Sequence, residues 1–398
     1  MSNKYIKLTQ IEHILHRPNM YIGEIINKKS KEFILESNDS YTKIIEKEID
    51  YNPGLYKICD ELLVNAYDAS ITDKTVNLIK VSISKKSFTI FNTGIGIPIE
   101  KHSEYKIYTP ELIFANLLTS SNFSDTEERI TGGLHGLGSK LSAIFSLKFI
   151  VQVWYNKLYY KQIYENNLSI IGKPNIEKQT SKIGGVSIEI FPDFKRFDVE
   201  EFSDDMIKLI SRRVIDLTSL VRPNIKIILN DRELQNGFEN YLKLYKSSNE
   251  WFIGNCIKNN FWHFAIRFND NLEINHHISF VNCIFTNNGG THLDYLLDLL
   301  LPKFQKLIDS NITKKFIKEN VTICLITSIV NPLFNSQSKE TLVLAANKFG
   351  FECPISSTFF DQLKNSTLIN KLKEINSKMN LMQLVKFEGS KKKKNYYF

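Results

Sequence analysis

The sequence feature that most restricts the fold is a glycine-rich segment at residues 131–140, which leads into an apolar helix pattern at 136–147. Four glycines within seven residues, from Gly132 to Gly138, leave the backbone N–H groups open to close approach. Because such groups at a helix start attract anions, the segment predicts a phosphate cradle, with an ordinary surface loop as the alternative. The order Ser139-Lys140 excludes a Walker A loop, which requires lysine before the hydroxyl residue.

A second pattern is a helix at residues 55–70, in which apolar residues recur at helical spacing. Glu61, Asn65 and Asp68 share one polar stripe of this helix, away from its apolar face. A carboxylate can accept a proton from an attacking water, and an amide oxygen suits Mg²⁺. The stripe therefore predicts a carboxylate and an amide aimed into one pocket, and a solvated helix face is the alternative.

Two shorter motifs are polar loops. Gly94 and Gly96 follow a predicted strand at residues 87–92, which indicates a tight turn with close backbone approach, or else an ordinary turn. Residues 335–339, Asn-Ser-Gln-Ser-Lys, lie in the second half of the chain and by themselves indicate only a polar loop.

The organisation of the chain predicts two packed domains that meet near residue 235, where the pattern of strands and helices changes. The composition, with 42% hydrophobic and 24% charged residues, is that of a globular protein. The net charge of +8 permits a polyanionic partner but does not require one. Five scattered cysteines without a Cys-x-x-Cys pair argue against a zinc ribbon or a disulfide scaffold. With no apolar signal segment and no run of about 18 apolar residues, we expect neither secretion nor a membrane span.

In this order, the motifs resemble those of the ATPase region of type IIA DNA topoisomerases, on the eukaryotic branch. The resemblance covers nearly the whole chain, and it rests on segments 9–15, 17–23, 55–68, 117–122, 131–140, 278–282, 289–295 and 331–339. It implies an α/β (α+β) fold, with a GHKL ATPase α/β sandwich and N-terminal strap at 1–235 and a ribosomal-S5-like α/β transducer domain at 236–398. The segments 289–295 and 337–339 distinguish this family from the chaperones, histidine kinases and mismatch-repair proteins that share the ATPase fold.

The resemblance also implies roles for individual residues. Glu61 is implied as the general base that activates water, and Asn65 as the Mg²⁺ ligand. Gln337 and Lys339 are implied as catalytic residues that reach the γ-phosphate of ATP from the transducer. The other implied nucleotide contacts are Tyr5 from the partner protomer, Asp68, Asn92 at the adenine, Ile97 in the base pocket, Ser120, Ser121, Asn122, Gly133, Leu134, His135, Gly136, Leu137, Gly138, Ser139, Lys140 and Ser338.

By the same resemblance, the chain is expected to be the ATP-binding and ATP-hydrolysing gate of a type II DNA topoisomerase. This gate dimerises on ATP binding to drive DNA strand passage. The implied cofactors are ATP and Mg²⁺. The implied partners are DNA, a second copy of the chain, and DNA-cleavage domains or a subunit, which we expect outside this chain as the rest of a longer protein or of a split enzyme. The expected location is inside the cell: the nucleus for a cellular protein, the host cytoplasm or nucleus for a viral one.

The sequence departs from the family pattern at three places, one of which is the mild change from the family's threonine to Ser338. Leu134-His135 stands where the family usually carries Arg-Asn, and the DNA-sensing lysine loop is shortened to Lys314 and Lys315. Two other functions compete with the topoisomerase gate: an ATP-binding clamp of the chaperone or repair type, and a nucleotide-binding module without turnover.

Overall fold

The structure is a computed structural model, and it describes residues 6–37, 42–117, 119, 129–133, 136–180, 183–245, 248–257, 261–269 and 277–394. The chain forms two compact units, Met1–Lys246 and Ser247–Phe398. The boundary proposed from the sequence near residue 235 stays a prediction. Within the described ranges, no helix is both long and apolar enough to cross a membrane.

The first unit is built from helices, a two-stranded ribbon and one large sheet. Its helices are α1 (Gln10–His16), α2 (Pro53–Thr72), α3 (Thr109–Ala115), α4 (Gly138–Ile144), α5 (Asp204–Leu220) and α6 (Phe238–Leu244). Its strands are β1 (Lys28–Ser37), β2 (Thr42–Tyr51), β3 (Leu78–Ile83), β4 (Phe88–Thr93), β5 (Ser146–Tyr155), β6 (Leu158–Glu165), β7 (Ile170–Ile171), β8 (Asn175–Lys178), β9 (Gly185–Pro192), β10 (Lys226–Leu229) and β11 (Arg232–Leu234). β1 and β2 pair with each other, and the sheet runs in the order β11-β10-β3-β4-β9-β5-β6-β7, with β8 beside β6.

Helix α2 is the central helix of this unit. Its start is fixed by Asn52, whose side chain accepts the N–H of Leu55 at 3.1 Å, and by Pro53 in the first turn. Ile58 and Leu62 are buried in the core, and α2 packs against β4, α4 and α5. Because α2 is covered on several sides, its polar residues are held in fixed positions.

The second unit contains a five-stranded sheet in the order β12-β13-β16-β14-β15. The strands are β12 (Phe252–Asn255), β13 (Trp262–Phe268), β14 (His277–Val281), β15 (Ile284–Phe285) and β16 (Val321–Thr327). The helices are α7 (Thr291–Leu307), α8 (Lys314–Asn320), α9 (Ser357–Leu363) and α10 (Thr367–Lys394). β14 and β16 are parallel, and the chain passes from one to the other through β15, α7 and α8.

A buried series of hydrogen bonds between side chains fixes the turn before α7. Oγ of Ser279 lies 2.6 Å from Oγ1 of Thr286, which lies 3.1 Å from Nε2 of His292. Burial lowers the pKa of His292 to about 3, so the ring is neutral at physiological pH. The histidine therefore has a structural role here.

Candidate functional site

One face of α2 carries the polar residues that form a stripe in the sequence. Asp68 holds the glycine-rich segment, because its Oδ1 accepts the backbone N–H of Gly132 and its Oδ2 that of Gly133, each at 2.8 Å. Asn65 lies one turn earlier, and its Oδ1 would be 3.9 Å from a Cβ placed on Gly133. The alternative of a solvated helix face is therefore wrong, because this face binds the loop backbone.

Glu61 lies on the same face, and only 3% of its surface is exposed. Gly138, the first residue of α4, packs against it, and a Cβ added to Gly138 would overlap Oε2 of Glu61. Glycine is needed here because the α4 backbone comes so close to the carboxylate. Ser142 donates from Oγ to the carbonyl of Ile58 at 2.7 Å and so holds α4 against α2.

Lys140 is a buried cation on α4. Its Nζ donates to the carbonyl oxygens of Thr119 and Gly136, both at 2.5 Å. One ammonium group therefore joins the two ends of the segment that runs from Thr119 to Gly136. Burial lowers the pKa of Lys140 to about 8, and the group is still mostly protonated at pH 7. Its observed contacts are with carbonyls, and its predicted contact with a phosphate stays a prediction.

The predicted tight turn after β4 is confirmed. Gly96 has a φ of +84° and lies so close to the carbonyl of Trp154 that a Cβ would overlap it. Oδ2 of Asp73 accepts the backbone N–H of Ile95 at 2.6 Å and fixes the start of the turn. Asp73, just after the end of α2, was not singled out from the sequence.

Asn92 and Ile97 lie on either side of this turn, and both are partly buried. Nδ2 of Asn92 donates a hydrogen bond to the carbonyl of Thr93 at 3.0 Å, and the amide oxygen of Asn92 takes no part in that bond. The predicted contacts of both residues with an adenine base stay predictions.

Sequence reasoning missed a buried group of charges beside Glu61. Nζ of Lys57 lies 2.9 Å from Oε1 of Glu61 and 3.3 Å from Oδ2 of Asp60, whose Oδ1 lies 2.7 Å from Nε of Arg213. Burial by itself lowers the pKa of Lys57, but Glu61 and Asp60 more than offset this and hold the pKa above its usual value. The available signal was a lysine and an aspartate set among the apolar residues of one helix.

An apolar cavity of about 450 Å³ lies beside the N-terminal segment. Ile6, Leu8 and Ile14 line it from that segment, and Leu117 and Leu137 line it from the two sides of the glycine-rich region. The N-terminal residues, which are mostly polar in sequence, therefore place apolar side chains next to the candidate site.

In the second unit, a Gly-Gly-Thr segment holds the loop that carries Lys339. The N–H of Leu342 donates to the carbonyl of Gly289 and the N–H of Thr291 donates to the carbonyl of Leu342, both at 3.1 Å. Gly290 has a φ of +137°, and a Cβ there would overlap the carbonyl oxygen of Leu342. The segment therefore acts as a bracket that fixes the base of this loop.

Lys339 itself is 3% exposed and has a φ of +62°, in the left-handed region. Gln337 and Ser338 are partly buried, and Oγ of Ser338 lies 2.8 Å from Oγ of Ser336. The structure brings these residues together in one loop of the second unit. Their predicted contact with a γ-phosphate stays a prediction.

Other predicted site residues divide into two groups. Gly136, Leu137 and Ser139 are described and lie between the anchor points of Asp68 and Lys140. The residues that fall outside the described part of the chain are Tyr5, Ser120, Ser121, Asn122, Leu134 and His135.

Comparison with known proteins gives the same two parts. The family described as histidine kinase-, DNA gyrase B- and HSP90-like ATPase matches residues 50–196, and the family described as DNA gyrase B matches residues 232–395. The crystal structure of the ATPase region of Saccharomyces cerevisiae topoisomerase II is 36% identical, with a TM-score of 0.86, over 94% of this chain and 100% of that chain.

The chain belongs to the ATPase region of the type II DNA topoisomerases. A second structure, the ATPase and transducer domains of DNA topoisomerase II from Balamuthia mandrillaris, is 30% identical with a TM-score of 0.87, over 95% of this chain and 98% of that chain. Both the α/β (α+β) fold and the family resemblance are therefore confirmed. The topoisomerase II structures match nearly the whole chain at 36% and 30% identity, which argues against the competing function of a chaperone or repair clamp.

The full-length relatives of this topoisomerase chain are much longer. "Probable DNA topoisomerase 2" of Dictyostelium discoideum is 36% identical over 91% of this chain but 24% of its own length. "DNA topoisomerase 2" of Saccharomyces cerevisiae is 35% identical over 98% of this chain and 29% of its own length. The chain thus spans about a quarter to three tenths of these topoisomerases.

Proposed function

We propose that this chain binds and hydrolyses ATP, with Glu61 as the general base, and that ATP binding closes the dimerisation gate of a type II DNA topoisomerase. The observation that carries the proposal is the double contact of α2 with the glycine-rich region. Asp68 binds the backbone of Gly132 and Gly133, and Glu61 lies against Gly138. One rigid helix thereby holds both a loop suited to phosphates and a carboxylate suited to water activation.

The proposed reaction is attack of water on the γ-phosphate. Glu61 takes a proton from the water as its oxygen bonds to the γ-phosphorus, and the bond from that phosphorus to the bridging oxygen breaks, so that ADP leaves. Lys339, with Gln337, stabilises the charge that develops on the phosphate. Glu61 and Lys339 belong to different compact units. Hydrolysis would therefore need the two units to be docked, so that the state of the nucleotide is expressed as a movement of domains.

Mg²⁺ is the metal that this reaction implies, and Asn65 fits it. Mg²⁺ on a protein commonly takes one or two side-chain oxygens and leaves its other positions to water and substrate phosphates. The amide oxygen of Asn65 lies beside Gly133, and the described residues contain no group of three or more His, Cys, Asp or Glu placed around a metal. Bound there, Mg²⁺ would neutralise phosphate charge.

The dimerisation gate is tested by sedimentation velocity. Ile6 and Met20 of the N-terminal segment are 83% and 62% exposed, which supports a role for this segment in covering a second copy. Because ATP would bind the closed dimer better than the open monomer, a non-hydrolysable ATP analogue with Mg²⁺ should convert a monomer into a two-fold dimer. ADP should do so less well, and deletion of residues 1–20 should prevent dimerisation without unfolding the chain. An unchanged mass with the analogue would rule out the gate.

Replacement of Lys339 by alanine tests the second unit. Loss of one charged hydrogen bond, worth about 2 kcal/mol, should lower ATP turnover by roughly 30-fold. ADP affinity should be unchanged, because ADP has no γ-phosphate. Steady-state kinetics and calorimetry with ADP measure both effects, and Lys348→Ala, at an exposed position of the same unit, is the matched control. Equal weakening of ATP and ADP binding would argue against the proposed role.

The wider activity of the full enzyme is also part of the proposal. We infer that this gate works with DNA-cleavage domains or a cleavage subunit, and that DNA strand passage and, for a cellular protein, a nuclear location follow from that. Co-purification with a DNA-cleaving topoisomerase subunit, or reading the coding sequence beyond Phe398, would test it.

A further inference from the structure

Lys57 is a buried cation that the reaction above does not use. It lies on α2 one turn before Glu61, and its side chain is 9% exposed. Its Nζ is 2.9 Å from Oε1 of Glu61 and 3.3 Å from Oδ2 of Asp60. A buried cation between two carboxylates is shared between them, and the way its charge is divided determines its effect on each.

Arg213 determines this division. Its Nε lies 2.7 Å from Oδ1 of Asp60, closer than Lys57 approaches, and the arginine is fully buried. Burial by itself raises the pKa of Asp60, but Arg213 and then Lys57 more than offset this and hold the pKa below its usual value. Because Asp60 already has an arginine, the charge of Lys57 is available mainly to Glu61.

We propose that Lys57 is a positioning residue for Glu61, which keeps the carboxylate ionised and fixes the direction of Oε1 during ATP hydrolysis. The inference rests on the proposed role of Glu61 as general base. A protonated carboxyl group cannot take a proton from water, so a cation at this distance keeps the base active at lower pH. The salt bridge joins residues i and i+4 of one helix, so it is set by α2 alone.

Other charged groups near this part of α2 are engaged elsewhere. Lys140, on α4, donates to two carbonyls. Arg212 of α5 lies 3.2 Å from Asp216, and Arg213 lies between Asp60 and Asp216. β4, the strand packed on α2, has no charged residue. Among these groups, Lys57 is the cation that forms an ion pair with Glu61, which makes its substitution a direct test.

The test is the pH dependence of ATP hydrolysis in the Lys57→Met variant of the whole chain. We expect the acidic limb of the profile to move up by about one unit or more, so that turnover falls roughly tenfold at pH values below the limb. Affinity for a non-hydrolysable ATP analogue should stay within about twofold, because binding groups are untouched. Turnover should recover as the pH is raised, which a merely structural defect would not allow.

Three further variants should move the acidic limb of the profile to lower pH or leave it unchanged. Asp60→Asn removes a negative charge beside Lys57 and Glu61, so its acidic limb should move to lower pH or stay in place. Lys57→Arg keeps the charge and should keep the limb where the parent has it. Lys80→Met removes the cation of an exposed ion pair with Asp231 and is the matched control, with an unchanged profile.

The outcomes separate this inference from the proposed function. The positioning role is wrong if Lys57→Met loses turnover equally at every pH. If Lys57→Met does not fold, the role is wrong when Lys57→Arg moves the acidic limb of the pH profile. If Glu61→Gln hydrolyses ATP at the parental rate, the proposed function itself fails. A double variant of Lys57→Met and Glu61→Gln should be no slower than Glu61→Gln alone, and additive losses would contradict the shared pathway.

Discussion

Replacement of Glu61 by glutamine should lower ATP turnover by roughly 1,000-fold, because a general base contributes about that much and an amide cannot take the proton. Glutamine has the shape of glutamate, so packing against Gly138 is retained. Affinity for a non-hydrolysable ATP analogue should stay within about tenfold, or about 1.4 kcal/mol. Single-turnover hydrolysis and equilibrium binding measure the two quantities.

Glu48→Gln provides the matched control, because Glu48 is an exposed residue of β2. It should hydrolyse ATP at the parental rate. Parental turnover by Glu61→Gln would leave the chain without the proposed base. Absent turnover in the parent chain, with intact nucleotide binding, would instead favour the module without turnover.

A second large loss is expected from Gly138→Ala. The new methyl group would occupy the position of Oε2 of Glu61, so the carboxylate has to move. A displacement of about 1 Å at a catalytic group can cost roughly 100-fold in turnover, and we expect a loss of that size. Since alanine favours helix over glycine, α4 itself should not be weakened. Turnover kinetics and the melting temperature together measure the effect.

The control for this prediction is the same substitution in the Glu61→Gln background. With the base already absent, Gly138→Ala should cause little further loss of turnover. A loss of roughly 100-fold in both backgrounds would show that the methyl group acts on something other than Glu61.

The elements that the sequence predicted well are those with a regular pattern and one buried face. The helix predicted at 55–70 is α2, and the strand predicted at 87–92 is β4. The helix predicted at 136–147 is shorter, because the chain leaves α4 after Ile144 and enters β5 at Ser146. Serine and the following apolar run fit either structure locally, so only the sheet decides between them.

Elements with charges inside them escaped prediction. The β1–β2 ribbon carries lysine and glutamate along both strands, which hides the alternation of a strand. Helix α5 buries Arg212, Arg213 and Asp216, which are expected on a solvated face from sequence alone. Their ionic partners come from α2 and from within α5. The pairing that offsets the cost of burying these charges therefore forms only when the helices pack together.

The same limit applied to the site. Glu61, Asn65 and Asp68 stood out because they share one stripe of a single helix. Lys57 stands one turn before Glu61 in sequence, but its importance depends on burial and on Arg213, which lies far along the chain. Contacts between distant segments are invisible to spacing arguments.

The hydrogen bonds of Lys140 bear on how this part of the protein can vary among relatives. The ammonium group ties the carbonyls of Thr119 and Gly136 together, so a residue outside the intervening segment joins its two ends. The entropy of closing a flexible loop grows slowly, by about 0.6 kcal/mol for each doubling of length. Apart from Gly132 and Gly133, which bind Asp68, insertions and substitutions between the two anchors should thus be tolerated by the fold, whereas loss of Lys140 should not. The exchange of the family's Arg-Asn for Leu134-His135 falls within that tolerant stretch of sequence.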